Sequence, residues 1–217
     1  MVELGNLNEY LFKEFGMPYL TMTLVAVLAV SPQPDGSGRT TLQAQAPSPE
    51  QQIAAAVLPL PAAMRAGATV LGYRGGAALV ELRKGTNKMI CLADNPALPP
   101  FHAACYHESL EPFMARGRVL RASGVGADKV DSVRNAEVVR GAVTMPKGAA
   151  ALYTLSGPAG SWDPATNEVK GGRALYVVYV PFATTESTGI PTMPGKGTPW
   201  IMSPGTPRAH IMFVPNM

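Results

Sequence analysis

Between Gly85 and Cys105 the chain reads GTNKMICLADNPALPPFHAAC, and this stretch constrains the fold more than any other. It holds the only two cysteines, an Asp-Asn-Pro turn and a Pro-Pro pair. An even cysteine count with none left over, downstream of an apolar leader-like run, reads as one structural disulfide in an exported protein. Bonding Cys91 to Cys105 would close a loop for which the chain-entropy model gives about 3 kcal/mol. The expected bond runs from the end of a strand at Cys91 to a point just before a helix at Cys105. It would tie a β-meander to a helical layer. A zinc pair is a poorer reading, because no CxxC-type spacing occurs.

The leader-like run is Tyr19 to Val30, YLTMTLVAVLAV. Its length suits a signal-peptide core and is too short to span a bilayer. Residues 1–30 are therefore expected to be a signal peptide, and 31–47, rich in Pro, Gly, Ser and Gln, a flexible spacer. The predicted compartment is periplasmic or secreted, with no transmembrane segment in the mature chain. The opposing feature is a weak cationic flank, with Lys13 between Glu9 and Glu14.

Residues 48–217 are expected to form a single α+β domain. Apolar residues make up 47% and charged residues 15%, enough for a substantial core. With 22 Gly and 21 Pro, short elements and many turns are favoured over long helices. Ser48-Pro49-Glu50 is a helix opening, with an N-cap serine and proline at the first helical position. β-like runs follow at 68–73, 77–82 and 88–92, the first two joined by Arg74-Gly75-Gly76. Helical patterns open at Ser109 and Asp128, and strands are expected at 150–155, 175–182 and 209–214. This order predicts a mainly antiparallel sheet with helices packed on one side. The aperiodic stretch 183–199 reads as a binding loop, a lid or a disordered segment.

Chemistry-bearing residues are few. The formal charge of +3 and the lack of an interleaved basic-aromatic cluster argue against nucleic acid. There is no GxSxG elbow, no SxxK and no HExxH. His102, His107 and His210 are candidate metal ligands, and His210, His107 and Glu108 are candidate catalytic groups. No cofactor is required by any motif, although a divalent metal is compatible with these histidines.

Two segments carry a resemblance. Gly85-Thr86-Asn87 with Cys91, Asp94, Pro96 and Cys105, and the ending WIMSPGTPRAHIM at 200–212, resemble signatures of a group of uncharacterised secreted bacterial proteins. Lys88-Met89-Ile90 stands where that group has Gly-Trp-Thr. The resemblance implies export and the disulfide, and no activity. Asn87, Asp94, Thr206 and His210 are candidate ligand-binding residues. The functional surface is expected where the turn at 205–207, His210 and the 183–199 loop meet the Cys91–Cys105 segment. The function expected is binding of a small molecule or protein partner. The alternative is a hydrolase, with or without metal assistance, acting on a small ester or lactone.

Overall fold

Ser48 caps the first helix, α1 (Pro49–Ala56), through a reciprocal capping box. Its hydroxyl accepts from the Gln51 amide, while the Gln51 side chain accepts from the Ser48 amide at 2.9 Å. Gln52 then clamps α1 to the first strand. Its side-chain oxygen accepts from the Tyr73 amide at 2.8 Å and its side-chain nitrogen donates to the Tyr73 carbonyl at 3.0 Å. The computed structural model describes residues 47–76 and 78–215. The expected signal peptide at 1–30 and nearly all of the spacer lie outside the described residues.

After α1 comes a single turn, α2 (Ala62–Arg65), and then the strands β1 (Thr69–Tyr73), β2 (Leu79–Arg83), β3 (Met89–Leu92) and β4 (Pro100–His107). A 3₁₀ turn at Glu108–Leu110 leads into α3 (Glu111–Ala122) and α4 (Ala127–Val139). The chain returns through β5 (Ala150–Ala159), the small hairpin β6 (Trp162–Asp163) and β7 (Glu168–Val169), and β8 (Arg173–Tyr179). A short α5 (Thr185–Thr188) precedes β9 (Trp200–Met202) and β10 (His210–Phe213). The main sheet has eight strands in the order β2-β1-β3-β4-β5-β8-β10-β9. Among the described residues only the β1–β3 pair is parallel. The α+β class with a mainly antiparallel sheet is as expected.

Directly paired residues share a face. Val70, Cys91, Cys105, Tyr153, Tyr176 and Phe213 form one row across the sheet. α1 covers the β1–β3–β4 end of that face, where Ala56, Val57 and Leu60 pack on Val70, Cys91 and Cys105. Tyr106, Leu152, Val177 and Met212 form a row on the opposite face. There the Phe113 ring of α3 meets Tyr179 edge-on at 6.4 Å. Arg134 of α4 lies 3.9 Å over the Phe113 ring. The helices therefore divide between the two faces. One face is covered by α3 and α4, and the other is covered by α1 over part of its width.

Cys91 and Cys105 are bonded, with Cα atoms 4.0 Å apart, and both are fully buried. Cys105 lies inside β4, directly opposite Cys91 on β3. The bond thus joins neighbouring strands instead of tying sheet to helix. β4 itself was not expected, because the Pro99-Pro100 start and the polar His102 obscure its alternation. Phe101, Ala103 and Cys105 nevertheless point to one buried face. Among the described residues no helix is long and apolar enough to cross a membrane.

Candidate functional site

The residues singled out from the sequence are mostly occupied in holding loops. Gly85 donates its amide to the Thr69 hydroxyl at 2.9 Å, and a Cβ there would sit 2.2 Å from the Thr69 nitrogen. The Thr86 and Asn87 amides both reach the Gly67 carbonyl. The Asn87 side chain donates to the Met64 carbonyl at 2.6 Å and accepts from the Met89 amide at 3.1 Å. Asp94 accepts from the His102 amide at 2.8 Å, pinning the 93–99 loop to the start of β4. Desolvation raises the Asp94 pKa, opposed by its backbone hydrogen bonds. The Thr206 hydroxyl donates to the Ser203 carbonyl at 2.8 Å.

His210 is 1% exposed and stacks on Tyr179 at 5.2 Å. Its Nδ1 lies 2.7 Å from the Arg208 carbonyl, which can only accept, so Nδ1 carries the proton. Nε2 is then a buried acceptor without a partner. Burial lowers the pKa to about 4, so the ring is neutral at pH 7.

The expected convergence is partial. The 205–207 turn does meet the start of the 183–199 loop, through Gly205 N–H to the Ala183 carbonyl at 2.8 Å and Phe182 N–H to the Thr206 carbonyl at 2.9 Å. The Cys91–Cys105 segment lies elsewhere. β5 and β8 separate β4 from β10, a gap of roughly 14 Å at normal strand spacing. His102 and His107 stand on opposite faces of β4, because their positions differ by an odd offset along the strand. His102 is exposed and its Nδ1 lies 2.9 Å from the Ser156 hydroxyl. Glu108 pairs with Lys88 at 3.1 Å on the surface. Among the described residues, no three His, Cys, Asp or Glu side chains are grouped to hold a metal ion.

One candidate residue, His107, does border a cavity. Where the cover of α1 and α2 stops, a depression of about 410 Å³ opens on the sheet face. Met64, Met89, Ala151 and Tyr153 form its apolar walls, and His107, Ser109 and Lys147 its polar rim. Register explains the grouping. Met89 pairs with His107, and His107, Ala151 and Tyr153 belong to the same face of the sheet.

The His107 ring is oriented by the turn that follows it. Its Nδ1 accepts from the Ser109 amide at 3.2 Å and lies 2.8 Å from the Ser109 hydroxyl. A backbone N–H can only donate, so in the neutral ring the proton sits on Nε2. That N–H has no partner among the described residues. Lys147, exposed in the Pro-Lys-Gly turn before β5, has no ion pair among the described residues. Lys147 was not singled out from the sequence, and Ser109 only as a helix opening. The one local signal was a lysine in a turn directly before a strand that begins with small residues.

Comparison with family models, with curated proteins and with solved structures finds no match to this chain.

Proposed function

We propose that this chain is an exported protein that binds a small molecule in the depression beside His107. The observation that carries the reading is an apolar hollow of about 410 Å³ whose rim holds Lys147 and the His107 Nε2–H, neither paired among the described residues. Ligand sites combine apolar walls with a few placed polar groups, at volumes of about 300–1,000 Å³. Export is supported by the buried disulfide, since oxidising compartments preserve such bonds, and by the apolar run at 19–30. The resemblance to secreted bacterial proteins points the same way.

Ala151 lines the hollow, so Ala151→Trp should fill it. Fragments that raise the melting temperature of the native protein should lose their effect on the Ala151→Trp variant. Hits that act equally on both proteins would remove the hollow from consideration.

A second reading, hydrolysis of a small ester or lactone, has one observation behind it. The Ser109 hydroxyl lies 2.8 Å from a histidine nitrogen at the rim. That nitrogen also caps the Ser109 amide, and no carboxylate orients the other ring nitrogen among the described residues. A serine hydrolase needs the base free and oriented by a third group, so binding is the better-supported reading. Ester turnover that disappears in Ser109→Ala would reverse this preference.

A further inference from the structure

We infer that the ligand of this hollow is a monocarboxylate with an apolar body. The inference rests on the binding reading above and adds the chemical class. Among the described residues no Asp, Glu, Asn or Gln lines the hollow, so none of them brings an acidic or amide side chain there to receive a ligand's donor. The polar side chains on the rim are Lys147, His107 and Ser109, and the Ser109 hydroxyl is already engaged with His107 Nδ1 at 2.8 Å, which leaves the Lys147 ammonium and the His107 Nε2–H as the groups offered. Glu108, next in sequence to His107, is drawn away to Lys88 at 3.1 Å and is not part of the lining.

A rim with one cation and an adjacent N–H suits a carboxylate, which accepts through both oxygens and binds more strongly to charged donors than a neutral group does. An amine would meet the Lys147 charge with no counter-ion. An alcohol would satisfy one donor and leave the other unpaired. Below the rim the walls are thioethers, methyls and an aromatic ring. Met64 and Met89 are unbranched and adapt to an irregular apolar chain. Monocarboxylates fit better than dicarboxylates, because the walls formed by Met64, Met89 and Ala151 offer a second carboxylate no charged partner.

The test is calorimetric titration of the purified protein with octanoate, 1-octanol and octylamine, which share a tail and differ in the head. Octanoate should bind at least about tenfold more tightly than either analogue, the discrimination expected of a charge-assisted hydrogen bond. Lys147→Gln should weaken octanoate about tenfold and leave octanol unchanged. Lys147 is exposed, so the substitution should not disturb folding. His107→Asn keeps an N-cap acceptor for the Ser109 amide but removes the Nε2 donor, and should also weaken octanoate. Octanol or octylamine binding as tightly as octanoate would overturn the carboxylate assignment and leave the binding reading standing. Failure of all three probes would also overturn the carboxylate assignment. The Ala151→Trp comparison then decides the binding reading by itself.

Discussion

At the scale of single residues, polar side chains in this chain are spent on backbone groups. Asn87, Asp94, Thr206 and His210 each satisfy a carbonyl or amide that a turn or strand end leaves over. His210 has a measurable consequence. Its folded pKa, about 4, lies below the unfolded value near 6.5. The unfolded state therefore binds the proton more readily, and stability falls as pH drops from about 6.5 towards 4. The loss from this ring amounts to about 3 kcal/mol by the standard conversion. Urea denaturation at pH 7 and pH 4.5 should show a smaller pH effect in His210→Gln than in the native protein. Equal pH effects in both proteins would contradict the placement of His210 as a buried neutral ring.

At the scale of elements, features written in adjacent residues were legible in the sequence. Ser48-Pro49-Glu50 opens α1 as expected, and Arg74-Gly75-Gly76 begins the 74–78 link between β1 and β2. β4 was hidden, because its strand character comes from pairing with β3 and β5 on either side instead of from its own composition. β9 is only three residues long and too short to show a period. The disulfide partners were legible, but the elements they join depended on β4. With both sulfurs buried, the bond is shielded from reductant in the native state. Native protein should resist thiol alkylation after mild reduction and should react once unfolded. A Cys91→Ala/Cys105→Ala variant should lose about 3 kcal/mol of stability, read from its urea midpoint. Ready alkylation of native protein would contradict the buried placement.

At the scale of the whole molecule, the two faces of the sheet are treated differently. α3 and α4 pack on one face and carry a charged network in which Asp131 pairs with both Arg134 and Arg208. Arg116 reaches Glu137 through two bonds of 2.7 Å. Asp131→Asn would leave two arginines largely buried without their counter-charge, and should cost about 3 kcal/mol or more. A change below about 0.5 kcal/mol, the usual range for surface substitutions, would mean that this network is solvated.

The other face is covered by α1 over part of its width, and the hollow lies where that cover ends. It is assembled from segments near residues 64, 89, 107–109 and 146–153. Strand register brings them together, and no local pattern announces that register. This is why His107 could be singled out from the sequence while its neighbours Lys147 and Tyr153 could not. The most direct measurement is backbone amide chemical-shift mapping during titration with octanoate. The account predicts shifts concentrated at Met89, His107, Ser109 and 147–153. Shifts centred instead on the 205–210 segment, or no saturable shifts at any site, would contradict it.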